Sequence, residues 1–189
     1  MAVLSNKFDI LRGWPNASAV AEDFIIPNKS AIDNLAGSHK FLQGQWVSLD
    51  TSVVDGTMAA KAVLANVNSG VSEKCYLIIE GRDDYSAQFA NRVTCLVGGG
   101  YMVRLPEKGV DSDNQPYDIL SGPAGTTFTP GQAVKVLQGV LNPVTAEEIN
   151  GVNGADAAAN LAEVASRDGI VGHVMAVNTA DNTIDIFVS

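Results

Sequence analysis

The chain has 189 residues, enough for one ordinary domain or two small ones, and at this length roughly 70% of the unfolded surface can be buried without a cofactor or disulfide. A net charge of −9, with twelve Lys and Arg scattered along the sequence, argues against a nucleic-acid partner. No apolar run approaches the ~20 residues that cross a bilayer, so no membrane partner is expected.

Residues 1–40 hold many large apolar groups, among them Phe8, Leu11, Trp14, Phe24 and Ile25, in no sustained period of two or 3.6 residues. Gly13, Pro15, Pro27 and Gly37 punctuate them, which reads as an extended N-terminal arm. Each such side chain gains about 1.5–3 kcal/mol on burial, so the arm is expected to dock on its own domain or on a neighbouring subunit. Trp14, between Gly13 and Pro15, is expected outside any regular strand. The start of the chain lacks the charged head and apolar core of a secretory signal, and synthesis in a cytoplasm is expected.

Residues 41–189 read as a β domain. Short runs bounded by Gly, Asn, Asp or Pro predict strands at Gln45–Leu49, Lys61–Ala65, Cys75–Ile79, Arg92–Val97 and Tyr101–Leu105. A loop rich in Asp, Pro and Gly follows, from Pro106 to Pro130. Three further strands are expected at Ala133–Leu137, Ile170–Val177 and Thr183–Val188. The alanine-rich stretch Ala155–Arg167, stopped by Asp168-Gly169, predicts one short helix. An internal echo, Gly44-Gln45-Trp46-Val47 against Gly131-Gln132-Ala133-Val134, raises a duplication with related lobes at 41–105 and 126–189. The expected fold is therefore mainly β, a β-barrel or β-sandwich with an arm and one helix.

Candidate chemistry is sparse. Gly98-Gly99-Gly100 opens onto the alternating run Tyr101–Leu105 instead of a helix, so it reads as a turn, bulge or close approach of backbones and not as a phosphate cradle. Asp111-Ser112-Asp113-Asn114-Gln115 begins like a calcium loop, but Pro116 stands where that loop needs Gly, leaving a solvated acidic loop as the expectation. Asp83-Asp84 reads as a polar turn. His39, His173, Cys75 and Cys95 do not make up a zinc site, and the cysteines read as buried thiols. No nucleophile elbow occurs. No catalytic, cofactor-binding or metal-binding residues are assigned, and an enzyme is not expected.

The C-terminal stretches "FTPGQAVKVLQGVLNPV" and "GIVGHVMAVNTADNTIDIFVS" carry Gly131, Val134, Gly139, Leu141, Val171, Gly172 and Val174. In this pattern of β punctuation the chain resembles the head decoration (cement) proteins of tailed bacteriophages. The resemblance implies a non-enzymatic virion protein that binds the outside of an expanded capsid, commonly as a homo-oligomer, and stabilises it against packaged DNA. Its partner would be the major capsid protein, with Phe8, Leu11, Trp14, Phe24 and Ile25 as subunit or capsid contacts. The rival readings are a phage tail or baseplate β module, a carbohydrate-binding β domain using Tyr85, Tyr101 and Tyr117 as a stacking platform, and an enzyme built around the Asp83-Asp84 turn.

Overall fold

The structure, a computed structural model, describes residues 9–13, 20–25, 41–49, 62–64, 74–81, 92–97, 100–111, 113–145 and 170–189. Each run expected as a strand from the sequence forms one: β3 (Trp46–Leu49), β4 (Ala62–Leu64), β5 (Tyr76–Glu80), β6 (Arg92–Val97), β7 (Tyr101–Pro106), β10 (Ala133–Leu137), β12 (Ile170–Asn178) and β13 (Thr183–Val188). The N-terminal segment contributes two more, β1 (Asp9–Gly13) and β2 (Val20–Ile25). The stretch expected as a loop contains β8 (Lys108–Val110), β9 (Pro116–Asp118) and a one-turn helix, α1 (Ala124–Thr127). A further strand, β11 (Val140–Pro143), follows β10 through Gln138-Gly139. Both of these turn residues have positive φ, 51° and 79°, the geometry of a type I′ hairpin turn. The helix expected at Ala155–Arg167 lies outside the described residues.

Two antiparallel sheets result, neither closed into a barrel. One runs β1-β7-β13-β12-β10-β11 and the other β2-β6-β5-β3-β4, with β8-β9 as a separate ribbon. The fold is a mainly β sandwich, and the connectivity of its sheets repeats. The order β2-β6-β5-β3-β4 is matched by β7-β13-β12-β10-β11, with β1 added outside β7. Strand β7, read with the first lobe in the sequence, therefore belongs to the six-stranded sheet.

The repeat extends to single hydrogen bonds. Gly44 and Gly131 both have φ of 85°, a conformation that favours glycine, and both precede a Gln that opens a strand. Gly44 N donates to Ile78 O at 2.9 Å, and Gly131 N to Val174 O at 2.7 Å. Ile78 N returns a bond to Gln45 O, and Val174 N to Gln132 O, each at 2.9 Å. Just after each of these partners the register slips, between Ile78 and Glu80 in β5 and between Val174 and Ala176 in β12. Phe41 and Phe128, each three residues before its glycine, are both buried.

Alternation in the strands decides what each face does. From the six-stranded sheet, Tyr101, Val103, Leu105, Val134, Val136, Val174, Ile184 and Ile186 point into the main core, and Phe128, Ile119 and Leu120 belong to the same cluster. The five-stranded sheet faces them with Trp46, Leu77 and Leu96. Its opposite face builds another cluster from Phe24, Phe41, Val47, Tyr76, Ile78, Val93 and Cys95. The five-stranded sheet is thus buried on both faces. By the register of the repeat, Leu77 corresponds to His173 and Leu96 to Phe187. The face that the five-stranded sheet buries in the main core is the face that the six-stranded sheet turns outward.

Candidate functional site

Of the five residues expected to make partner contacts, Phe8 and Trp14 lie outside the described residues. Leu11 is in β1, at the slip in register between Ile10 and Arg12 where that strand pairs with β7. Phe24 and Ile25 are in β2, opposite Val93 and Arg92 of β6. The structure does not bring the five together: β1 borders one sheet and β2 the other. Phe24 is buried inside the chain, its ring meeting Tyr76 edge-on at 5.0 Å and 72°. The ring is thereby committed to an intramolecular cluster.

The outward face of the six-stranded sheet carries apolar and charged side chains side by side. In one row across β7, β13 and β12, Met102 stands opposite Phe187, and Phe187 opposite His173. Met102 and Phe187 are half-buried, His173 is exposed, and Met175 beside them is 52% exposed, unusual for a large apolar side chain. In a second row Arg104 faces Asp185, with Nε to Oδ1 at 2.7 Å and the second guanidinium nitrogen to Oδ2 at 2.9 Å. This fork-on-fork pair fixes the middle of the face. β1 runs along its edge, with Arg12 opposite Met102.

A cleft of about 400 Å³ lies where the β10–β11 hairpin meets the start of β3. Its walls are tied by backbone bonds: Trp46 N to Gly139 O at 3.0 Å, Leu141 N to Ile119 O at 2.9 Å and Ser121 N to Leu141 O at 2.9 Å. Gln45, Gln138 and Asn142 line it with carboxamides, Asp118 and Ser121 with a carboxylate and a hydroxyl, and Leu137 and Val140 with aliphatic surface. From the sequence, Gln45 and Leu137 are placed only at strand ends, Gln45 also in the Gly-Gln echo, and none of these residues is assigned to a site.

Several expectations change on contact with the geometry. Asp111 is not solvated: it is buried, and its Oδ1 accepts from Asp113 N at 2.9 Å and Gln115 N at 2.8 Å, closing the turn between β8 and β9. Tyr101 is a core residue, Tyr117 is half-buried with its hydroxyl donating to Gln43 O at 2.9 Å, and Tyr85 lies outside the described residues. Tyr101 and Tyr117 form no stacking platform, because strand alternation turns Tyr101 inward. The Asp83-Asp84 turn, Gly98 and Gly99 also lie outside the described residues, while Gly100 N donates to Val188 O at 2.7 Å beside β7. Cys75 and Cys95 pack on opposite faces of one sheet. Among the described residues there is no group of three or more His, Cys, Asp or Glu placed to hold a metal ion.

Comparison with protein-family models, curated proteins and solved structures found no match to the chain.

Proposed function

We propose that this protein is a structural component of a phage virion that binds the outer surface of the capsid and stabilises it. The observation that supports this reading is the contiguity of the N-terminal segment with the outward face of the six-stranded sheet. β1 borders a surface on which Met102, Phe187 and Met175 offer apolar area around the Arg104–Asp185 pair. A capsid lattice presents many equivalent sites, so modest contacts of this kind add up when the binding protein is itself oligomeric. The β punctuation around Gly131 and Gly172 supports the same reading through its resemblance to decoration proteins.

The test is stoichiometry. Virions purified on a gradient are digested and this chain is quantified against the major capsid protein by mass spectrometry. A lattice-bound protein gives a ratio between about one to three and one to one, as symmetry of the shell requires. A ratio below about one to twenty moves the chain to the tail or baseplate, where symmetry allows far fewer copies, and its absence from particles overturns the virion reading. Met175→Glu, which puts a charge on the outward face without touching the core, is expected to abolish rebinding to stripped capsids.

A further inference from the structure

We infer that the cleft between the β10–β11 hairpin and Gln45 is a binding site for a neutral saccharide, a ligand that the virion reading does not require. The two equivalent glutamines of the repeat carry the argument. Gln132 is satisfied at both ends of its carboxamide: Oε1 accepts from Thr129 N at 3.1 Å and Nε2 donates to Val144 O at 3.3 Å. Gln45 keeps only the first bond, Oε1 accepting from Leu42 N at 3.0 Å. Its Nε2 has no partner among the described residues, although the side chain is nine-tenths buried and lines the cleft. A buried carboxamide held rigidly by one end and left open at the other is a preorganised donor.

The rest of the lining fits the same class of ligand. Asn142 spends Nδ2 on Val140 O at 2.9 Å, leaving its oxygen as an acceptor, and the Ser121 hydroxyl can serve as either. Mixed donors and acceptors of this kind match vicinal hydroxyls, while Leu137 and Val140 offer aliphatic surface to the C–H face of a sugar ring. The volume of about 400 Å³ is at the lower end of the roughly 300–1,000 Å³ usual for small-ligand sites and suits a mono- or disaccharide. An anionic ligand is disfavoured: Asp118 lines the cleft, no Lys or Arg among the described residues does, and the nearby Lys108 is turned to Asp118 at 3.5 Å. A peptide adding as a strand is disfavoured too, because the outer edge of β11 is already bonded to residues 119–121 through Leu141.

The experiment is a titration of the labelled full chain, followed by amide ¹H–¹⁵N spectra, with glucose, galactose, N-acetylglucosamine and their β-linked disaccharides, and with glucuronic acid as the charged control. The expected result is saturable shifts at millimolar sugar in the Gln45 and Asn142 side-chain amides and the backbone of residues 138–142, with at least one neutral sugar. Gln45→Glu, which keeps an oxygen for Leu42 N and removes the donor, is expected to weaken binding about tenfold. Ser121→Ala, at an exposed position, is expected to weaken it several-fold with an otherwise unchanged spectrum. No shift with any neutral sugar, shifts confined to other residues, or equal binding of glucuronic acid overturns the inference.

Discussion

Gln45 and Gln132 occupy the same place in two copies of one turn, each accepting through Oε1 from the backbone N–H three residues before it, at 3.0 Å from Leu42 and 3.1 Å from Thr129. Around them the backbone repeats, from the positive φ of the preceding glycine to the bulge in the partner strand. The equivalence is not face to face. The five-stranded sheet packs outer face to inner face against the six-stranded one, as in a stack of related layers, and so leaves the six-stranded sheet's outer face at the end of the stack. That arrangement explains why equivalent positions carry Leu77 in one copy and His173 in the other.

Equivalent bonds in unequal surroundings have unequal energies. The Gln45 bond to Leu42 N is buried, so Gln45→Ala leaves an amide with neither protein nor water and is expected to cost about 1–3 kcal/mol. The Gln132 bond to Thr129 N is exposed, water replaces it, and Gln132→Ala is expected to cost no more than about 1 kcal/mol. Urea denaturation of the two variants measures the difference. Equal losses would mean that burial does not separate the two copies.

Gly44 and Gly131 separate backbone strain from crowding. Both have φ of 85°, so alanine at either is strained by about 1–2 kcal/mol. A methyl at Gly131 would meet nothing within 4 Å, whereas one at Gly44 would come to 2.8 Å from Ile119 Cδ1. Gly44→Ala is therefore expected to be the more destabilising, by about 1 kcal/mol or more, as Ile119 is forced to repack in the core. Thermal or urea unfolding of the pair decides it, and matching losses would contradict the close approach.

The eight strands legible in the sequence are β-rich runs that serve a buried face, alternating as in Tyr101–Leu105 or buried on successive residues as in Tyr76–Ile78 of the sheet covered on both sides. The strands that were not legible lack that signal for physical reasons. β8 and β9 form a short ribbon of Lys-Gly-Val and Pro-Tyr-Asp with little to bury, and β11 ends in Pro143 after a tight turn. β1 carries a slip in register at Leu11, which breaks any period of two. The GQ echo was visible as three matched residues, Gly, Gln and Val, but only hydrogen bonding shows it to be one turn used twice. The cleft was invisible because its lining converges from the residue before β3, the β10–β11 hairpin and the end of β9 with the segment after it, and no local pattern records such an encounter.

Phe24 tests whether the N-terminal segment stabilises its own subunit. Its ring is 6% exposed and packs edge-on against Tyr76 in a cluster with Val93 and Cys95. Phe24→Ala is expected to destabilise the isolated chain by about 3 kcal/mol, the lower end for a buried Phe. Deleting residues 1–26 removes this ring with β2, so loss of partner binding in that deletion would not separate docking from folding. Deleting 1–13 removes β1 alone and is the cleaner probe of partner contact. Unchanged urea stability in Phe24→Ala would return the residue to the surface and to intersubunit contact.

Tyr101 couples the core to alkaline pH. Its burial, with a smaller contribution from the Cys95 thiolate, raises the hydroxyl pKa far above the ordinary 10.0, and Tyr76 is raised in the same direction, by burial first and Cys75 second. The native chain thus keeps a proton at Tyr101 that the unfolded chain releases above about pH 10, so the unfolded state binds fewer protons and stability falls as pH rises. The contribution is fully present below pH 10.0 and is lost as pH climbs toward the raised native value. The slope for one such tyrosine is up to about 1.4 kcal/mol per pH unit. Tyr101→Phe removes the titrating group, and its urea stability, followed from neutral pH to above pH 10, is expected to fall less steeply than that of the parent. Parallel curves would show that the Tyr101 hydroxyl ionises as readily in the folded chain as in the unfolded one, which its place among Val103, Ile186 and Val188 does not allow.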